Sequence, residues 1–354
     1  MQTKTDLESA DIVERAKMDE ITKEDALYIV YNTFLLFKIA DELRSEVVGD
    51  IVTYVINRNI NFTNVCIGDC TFCAFKRERG YILSMEQILQ KVEDAIAKGA
   101  TEICIQGGLL KGTTLDFYCE MLGCVKSHFD VHLHAFSPME VFHAAKNSNV
   151  DVQDALKALK HSGLDSMPGT AAEILDDEIR RKICPNKISV AQWIDIITTA
   201  HRMGIPTTAT IMYGHIETLE HWVDHLLLIR NIQKKTKGFT EFIPLSFMPK
   251  NNELGGIARG PTSMDNLKMH ALSRILLYPY VRNVQASWVK LGRKLARETL
   301  FCGVNDLGGT LMEEHITKSA GGAEGEYMSP EGFEELIISA GRIPKRRTTL
   351  YTIA

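Results

Sequence analysis

The 354-residue chain is 45% hydrophobic and 24% charged, a composition that allows a sizeable core in one large domain or two modest ones. Its formal net charge of -5 argues against binding along a nucleic-acid backbone, which normally requires a basic surface. Long apolar runs are lacking and the amino terminus is charged, so we expect no membrane span, no signal peptide and a cytoplasmic location.

The first predicted elements are helices. Between Thr22 and Ile51 the apolar residues recur at helical spacing, for example at Ile29, Phe34 and Leu43, which predicts two or three helices. We therefore expect residues 1–52 to form a helical N-terminal extension in front of the main domain.

Beyond this extension, short β-rich runs alternate with longer amphipathic runs. The strand candidates span residues 60–65, 102–108, 131–136, 164–169, 206–214, 239–247, 282–287 and 301–306. Each is followed by a helix candidate, which argues for a parallel sheet. Eight units over roughly 250 residues favour a closed TIM-like (β/α)8 barrel over a doubly wound sheet. We expect the barrel at residues 53–320 and a C-terminal segment that closes it at residues 321–354.

Three cysteines follow the first predicted strand. Cys66, Cys70 and Cys73 have CxxxCxxC spacing, and thiolates select zinc, copper(I) or iron–sulfur centres. Structural zinc sites and ordinary electron-transfer clusters use four ligands, whereas no second CxxC lies nearby. Three ligands leave one iron of a 4Fe-4S cluster free to chelate S-adenosylmethionine (SAM). The alternatives are incidental thiols, or a four-ligand site completed by a cysteine from elsewhere in the chain, with Cys104, Cys184 and Cys302 as candidates.

This motif, with Phe72 before its last cysteine, resembles the signature of the radical SAM superfamily. The resemblance implies a 4Fe-4S cluster held by Cys66, Cys70 and Cys73, and SAM that is cleaved to a 5'-deoxyadenosyl radical. In such enzymes the cofactor supplies the radical chemistry, while the protein binds and orients the reactants. By the same resemblance Phe72 would lie against the adenine of SAM. A core aromatic beside the loop is the alternative.

Two further strand ends carry candidate SAM contacts, because a barrel places its active site at the carboxyl ends of its strands. Gln106, Gly107 and Gly108 resemble the double-glycine turn of the superfamily, where the lack of a Cβ permits close approach to the SAM methionine. Glu173 would hold the ribose or the methionine amine. A plain tight turn and a solvated carboxylate are the alternatives.

Four residues are candidates for substrate contact. His132 and His134 alternate along one strand, so both side chains should face the same side of the sheet. Asn305 and Asp306 lie at the end of the last predicted strand. Hydrogen-bonded core histidines and a simple turn are the alternatives.

The fifth predicted strand ends in a glycine turn with three functional side chains. Tyr213 and His215 are the candidate catalytic residues, and Glu217 is a candidate SAM contact. A phenol, an imidazole and a carboxylate at one strand end are compatible with binding either SAM or substrate.

A longer resemblance covers residues 30–322. Residues 59–75, 168–187 and 205–226 resemble a radical SAM group that includes FO synthase subunit 2, aminofutalosine synthase and cyclic dehypoxanthine futalosine synthase. Residues 167–173 lack the triple glycine typical of the two menaquinone-pathway enzymes. Together with residues 286–292 and 305–314, they resemble the FO synthase subunit 2 family. The single cysteine triad excludes the fused two-domain form.

That family resemblance implies the reaction and its partners. A 4-hydroxybenzyl group from L-tyrosine would be coupled to 5-amino-6-(D-ribitylamino)uracil in deazaflavin (FO) biosynthesis. FO synthase subunit 1 would then close the ring, and ferredoxin or flavodoxin would donate electrons. The two futalosine reactions are the alternative. A non-enzymatic iron–sulfur electron carrier is the alternative from another class, but a full barrel exceeds what one cluster needs.

Overall fold

The computed structural model describes residues 4–322 and 325–353. Its strands are β1 (Ile51–Val55), β2 (Asn57–Asn61), β3 (Glu102–Gln106), β4 (His132–Ala135), β5 (Thr207–Tyr213), β6 (Phe239–Ser246), β7 (Asp306–Gly309) and β8 (Ile343–Arg346). Its α-helices are α1 (Lys4–Lys17), α2 (Lys23–Tyr31), α3 (Thr33–Val48), α4 (Met85–Ala97), α5 (Leu115–His128), α6 (Pro138–Asn147), α7 (Val152–His161), α8 (Asp177–Ile183), α9 (Val190–Arg202), α10 (Leu219–Thr236), α11 (Ser263–Leu277), α12 (Trp288–Leu291), α13 (Arg293–Thr299), α14 (His315–Ser319) and α15 (Pro330–Ser339).

The strands close a parallel barrel. β1 and β2 are two halves of one strand interrupted at Ile56; β1 pairs with β7, and β2 pairs with β3, which pairs with β4. β5 pairs with β6. Single parallel bridges join the remaining neighbours: His134 to Ser166, Met167 to Thr207, Phe242 to Val284 and Gln285 to Asp306. The pairing therefore returns to the first strand through eight positions, and the predicted (β/α)8 barrel is confirmed.

The helices of the barrel begin where the sequence supplies capping residues. Ser84, Ser137 and Ser189 each accept a hydrogen bond from the backbone N–H three residues later, at the starts of α4, α6 and α9. In each case the side chain three residues on bonds back to the backbone of the serine, which satisfies two donors at the helix end. These caps fix the length of the loops that leave the strands.

The first strand starts earlier than the sequence pattern indicates. It was predicted at residues 60–65 but runs from Ile51 to Asn61. Asn57, Asn59 and Asn61 break the apolar pattern because they face the polar interior of the barrel. The strand was therefore missed because its polar side chains face the barrel interior and not because they are exposed to solvent.

The last barrel strand starts later than predicted: it was expected at residues 301–306 and runs from Asp306 to Gly309. Gly303 lies in a turn with φ of +91°, and a Cβ there would stand 2.6 Å from the Cβ of Arg274. The apolar residues before Asp306 are buried by this turn and not by a strand.

The two ends of the chain pack onto the barrel. α2 contacts α10, α3 contacts α11, and Ile29, Leu36 and Leu43 are fully buried. β8 pairs in parallel with β1, from Ile343 opposite Ile51. Domain boundaries after residues 52 and 320 stay predictions. Within the described residues, no helix has both the length and the apolar character required to cross a membrane.

Candidate active site

The barrel encloses a cavity of about 450 Å³ that is lined by alternate residues of its strands. Side chains of a strand point to its two faces in turn, so every second residue faces the interior. The strand residues of this lining include Asn57, Asn59, Asn61, Glu102, Cys104, Gln106, Thr208, Thr210, Met212, Glu241, Ile243 and Leu245. Many of them are polar, which suits a ligand with several hydrogen-bonding groups.

The three cysteines of the motif face this cavity from the loop after β2. All three are free and half-buried. The backbone N–H groups of Gly68 and Leu109 each donate to Sγ of Cys66 at 3.3 Å. These two hydrogen bonds hold the Cys66 sulfur in place at the cavity.

The donor set of this loop fits a 4Fe-4S cluster. A Cβ at Gly68 would lie 3.3 Å from Sγ of Cys66 and 4.0 Å from Sγ of Cys70, so this glycine leaves room between two sulfurs. In the described part of the chain, no three His, Cys, Asp or Glu side chains are grouped to hold a single metal ion. A cubane cluster instead binds each thiolate to a different iron. Cys104 also lines the cavity, whereas Cys184 does not.

An ion pair stands beside the cysteine loop. Lys187 donates to Glu173, and its Nζ lies 5.3 Å from the centre of the Phe72 ring. Burial opposes ionisation of Glu173, but the charge of Lys187 lowers the pKa of this carboxyl below its usual value. Burial raises the pKa of the Cys70 thiol to about 12, against the opposing charge of Lys187. The structure thus places Phe72 and Glu173 in the same cavity as the three cysteines.

The Gln106–Gly108 turn packs against the cysteine loop. A Cβ on Gly108 would stand 2.2 Å from the carbonyl oxygen of Val65, and one on Gly107 would stand 2.5 Å from the Phe62 ring. Gly108 also donates its N–H to the Thr63 carbonyl at 2.9 Å. All three residues of the turn line the cavity. The absence of Cβ atoms at Gly107 and Gly108 therefore allows Phe62 and the start of the cysteine loop to pack directly against this turn.

Glu140 is a site residue that the sequence analysis missed. It lines the cavity, accepts the Gly107 N–H at 3.0 Å, and accepts the N–H and hydroxyl of Ser137 at 2.7 Å. Burial raises the pKa of this carboxyl to about 7. The signal was present, because Ser137 to Glu140 is a capping-box spacing directly after the third predicted strand.

The two predicted histidines share one partner. Nε2 of His132 and Nδ1 of His134 each lie 2.7 Å from the Ser166 hydroxyl. Only His134 lines the cavity, and burial lowers its pKa to about 4, which keeps the ring neutral at neutral pH. His132 lies nearer the amino end of its strand and outside the lining.

The three candidates after β5 lie outside the cavity lining. The Tyr213 hydroxyl is buried and hydrogen-bonded to Asn266 at 2.5 Å. Glu217 accepts the N–H groups of Gly214 and His215, the latter at 2.8 Å. These bonds and the adjacent imidazole lower the pKa of Glu217 to about 2 even though burial acts in the opposite direction. The structure gives all three side chains partners within the protein and does not bring them to the cysteines.

Asn305 and Asp306 also lie outside the lining. Asn305 accepts a hydrogen bond from Arg274 at 2.6 Å, and Asp306 pairs with Arg347 at 2.5 Å. Asn305 precedes β7 and Asp306 is its first residue, so both lie at the amino end of this strand, whereas Gly308 further along it lines the cavity. Their use in substrate binding stays a prediction without a contact to support it.

The amino end of the barrel carries a second polar cluster that sequence reasoning missed. Glu102 accepts a hydrogen bond from Asn57 at 2.8 Å, and Arg347 lies 3.4 Å from Glu241. Burial raises the pKa of Glu241 to about 7, against the charge of Arg347. The signal was a carboxylate inside an apolar parallel strand, which points to a polar barrel interior.

Several lining groups keep unused hydrogen-bonding capacity. In the described residues, the buried atoms without a protein partner include Asn61 Oδ1, Gln285 Oε1, Thr170 Oγ1 and Thr349 Oγ1, all on cavity residues. A buried polar atom without a partner is unfavourable, so a bound ligand that pairs with it gains free energy. The cavity therefore combines a thiol-bearing mouth with a polar interior.

Two family profiles match this chain. Residues 60–229 match the radical SAM superfamily, and residues 236–354 match the CofH/MqnC C-terminal region. The first match contains the cysteine loop, and the second contains α11 to β8.

Curated relatives match over nearly the whole length. A protein of Archaeoglobus fulgidus is 60% identical over 92% of this chain and 95% of its own length. A protein of Methanosarcina acetivorans is 55% identical over 96% of this chain and 93% of its own. Each is named as a 5-amino-6-(D-ribitylamino)uracil–L-tyrosine 4-hydroxyphenyl transferase.

Solved structures share the fold. The FeFe-hydrogenase maturase HydG of Carboxydothermus hydrogenoformans superposes with a TM-score of 0.75 at 18% identity, covering 97% of this chain and 80% of HydG. Methylornithine synthase (PylB) superposes with a TM-score of 0.74 at 17% identity, covering 95% and 97%. At such identities the likeness shows a common fold alone.

Proposed function

The chain belongs to the radical SAM superfamily and, within it, to the family of the uracil–tyrosine 4-hydroxyphenyl transferases, and on that premise we propose its reaction, its cofactor ligands and its partners. It is a radical SAM transferase of the FO synthase type. It transfers the 4-hydroxybenzyl group of L-tyrosine to 5-amino-6-(D-ribitylamino)uracil. The observation that carries this is 60% identity over 92% of the chain to a transferase of that name, together with a three-cysteine loop that faces a polar barrel cavity.

The ligands of the cluster are Cys66, Cys70 and Cys73, with one iron left for SAM. When bound, the cluster and SAM together supply a carbon-centred radical that removes hydrogen from the substrate. The chain contributes the surroundings of the sulfurs: the N–H groups of Gly68 and Leu109 donate to Sγ of Cys66 and would orient this ligand.

The ion pair beside the loop is the proposed SAM pocket. Glu173, held ionised by Lys187, offers a carboxylate for the ribose or the methionine amine. Phe72 offers an aromatic face for the adenine, and the Gln106–Gly108 turn offers backbone groups in the same cavity. These roles stay proposals for each residue.

The polar interior is the proposed place of the ribitylaminouracil. Its hydroxyl and amino groups would donate to lining oxygens that have no protein partner, including Asn61 Oδ1 and Gln285 Oε1. Glu241, whose pKa burial raises to about 7, can hold or release a proton there near neutral pH.

The test is anaerobic reconstitution of the wild-type enzyme, followed by reduction in the presence of SAM, L-tyrosine and the ribitylaminouracil. Formation of 5'-deoxyadenosine together with a coupled 4-hydroxybenzyl product is expected only when both substrates are present. Deoxyadenosine formed only with a futalosine precursor would contradict the assignment and favour the menaquinone reactions.

The proposal extends to partners and location. FO synthase subunit 1 would receive the coupled product, and ferredoxin or flavodoxin would reduce the cluster in a cytoplasmic setting. Omission of subunit 1 from the assay should leave the coupled product as the end product, detected by mass spectrometry.

A further inference from the structure

Four lysine and arginine side chains line the cavity, and three of them have partners in the protein. Lys187 pairs with Glu173, and Arg347 pairs with carboxylates that include Asp306. Lys76 donates to the Gly68 carbonyl at 3.3 Å. Lys290 is different, because no hydrogen bond or ion pair joins its ammonium to any described residue within 4.0 Å. This ammonium is therefore available to a ligand.

The backbone places Lys290 firmly. It lies in α12, where its N–H donates to the Ser287 carbonyl at 3.0 Å. Trp288 in the same turn is almost fully buried and donates its indole N–H to the Gly309 carbonyl at 3.0 Å. Gly292 closes the turn with φ of +78°. Ser287, Val289 and Lys290 all line the cavity, so the turn presents the lysine to the interior.

The charges around Lys290 suit a zwitterion. Burial lowers the pKa of its ammonium, whereas the carboxylates of Glu314 and Glu173 oppose that shift. Glu314 lines the same cavity but does not contact Lys290; it accepts the Thr317 N–H at 2.7 Å. A half-buried cation without a direct partner in the protein is unfavourable, and a ligand carboxylate relieves this. A cation and a separate anion that line one cavity match the carboxylate and ammonium of an amino acid.

We infer that Lys290 binds the α-carboxylate of the L-tyrosine substrate and so sets the position of its Cα–Cβ bond in the cavity. The inference rests on the proposed function. Of the two organic substrates, only tyrosine carries a carboxylate, since the ribitylaminouracil has only neutral polar groups. SAM also carries a carboxylate, so the experiment must separate the two ligands.

The test compares ligands with and without the carboxylate. Dissociation constants for L-tyrosine and for tyramine are measured on reconstituted enzyme with SAM and no reductant, for wild type, Lys290→Met and Lys290→Arg. The matched control is Lys294→Met, an exposed lysine in α13. We expect wild type to prefer tyrosine over tyramine and Lys290→Met to weaken tyrosine binding by about 10- to 100-fold, the range of a charge-assisted hydrogen bond. Tyramine binding should stay within about twofold, and Lys290→Arg should recover part of the preference.

Three results would overturn the inference. Equal weakening of tyrosine and tyramine would mean that Lys290 only supports the fold of the cavity. Weakened SAM binding with unchanged tyrosine binding would assign the lysine to SAM. Unchanged binding of every ligand would remove its role altogether. If wild type forms the coupled product while Lys290→Met keeps its tyrosine affinity, the inference fails and the proposed function stands; if wild type neither binds tyrosine nor couples it, both fail.

Discussion

Cys66, Cys70 and Cys73 lie in one loop, yet the loop keeps its shape through contacts that are distant in sequence. Ile67 donates to the Leu109 carbonyl at 2.9 Å, and Thr71 donates to the Ile183 carbonyl at 2.9 Å. The spacing of the cysteines is readable from the sequence, but these anchors are not. The three cysteines are therefore the part of the site that is easiest to predict from the sequence. The backbone contacts that hold their loop are the hardest part to predict.

The first prediction concerns Cys70. Replacement by Ala should remove one of the three cluster ligands, so iron and sulfide content per chain and SAM cleavage should fall to near background. Cys124→Ala, a half-buried cysteine of α5 outside the cavity lining, is the matched control and should retain the cluster. Normal cluster content in Cys70→Ala would contradict the ligand assignment.

The second prediction concerns a buried histidine away from the site. His201 bonds to the Thr236 and Thr207 hydroxyls at 2.8 and 2.9 Å, and burial lowers its pKa to about 4. The unfolded chain then binds more protons between pH 4 and 6.5, so this contribution to stability is present above pH 6.5 and is lost as the pH falls.

Urea denaturation at pH 7 and pH 5 tests this effect. The loss of unfolding free energy on acidification should be smaller in His201→Gln than in wild type by about 2 kcal/mol. The difference in pH dependence is the measurement, since the substitution also changes packing at both pH values. The same loss in both proteins would show that His201 is already charged at pH 5.

Residues that sequence reasoning missed share one property. Lys187, Glu140 and Lys290 come from parts of the chain that are distant in sequence, and they line one cavity only in the folded barrel. Tyr213 and Glu217 show the reverse. They lie at a strand end rich in functional groups, but their side chains are hydrogen-bonded to other groups of the protein. Which face a residue takes at the end of a strand depends on register, and register is not visible in one sequence.

At the scale of elements, the turn after β3 joins the cysteine loop to the barrel. Gly108 has no room for a side chain, because a Cβ would meet the Val65 carbonyl at 2.2 Å. The third prediction is that Gly108→Ala destabilises the protein by about 2 kcal/mol, through overpacking, and lowers cluster content. Thermal unfolding and iron analysis give the two readings.

Gly123 provides the control for that substitution. It lies inside α5, and a Cβ there would meet nothing within 4 Å. Gly123→Ala should leave cluster content unchanged and raise stability by up to about 1 kcal/mol through helix propensity. Equal behaviour of the two variants would contradict the close approach seen at Gly108.

Element prediction succeeded where periodicity was regular. The helices of the barrel and the strands rich in apolar residues lie where the pattern placed them. The first strand was misplaced because its asparagines face a polar cavity, and the last because a buried turn precedes Asp306. The first error arises where the barrel interior is polar. The second arises where a turn, and not a strand, buries apolar residues.

At the scale of the whole molecule, the C-terminal segment packs against the amino end of the barrel and pairs with its buried carboxylates. Arg347 is buried and pairs with Asp306 at 2.5 Å and with Glu241 at 3.4 Å. The fourth prediction is that Arg347→Met costs roughly 3 kcal/mol, since it leaves two buried carboxylates without their cation.

Arg346 serves as its neighbour control. Its side chain is 49% exposed and lies 3.0 Å from the Tyr54 hydroxyl, so Arg346→Met should cost no more than about 1 kcal/mol. Denaturant midpoints of the two variants give the comparison. Similar losses in both would argue that the strand pairing of β8, and not the buried ion pair, stabilises this end.

The central claim is that this enzyme breaks the Cα–Cβ bond of L-tyrosine and transfers the 4-hydroxybenzyl fragment to the uracil. The most direct measurement uses tyrosine labelled with carbon-13 at either Cβ or Cα in the reduced, reconstituted enzyme with SAM and the ribitylaminouracil. We predict that the coupled product retains the Cβ label and lacks the Cα label. A product that carries the Cα label would contradict this reaction. A product without label from either labelled tyrosine would contradict it as well.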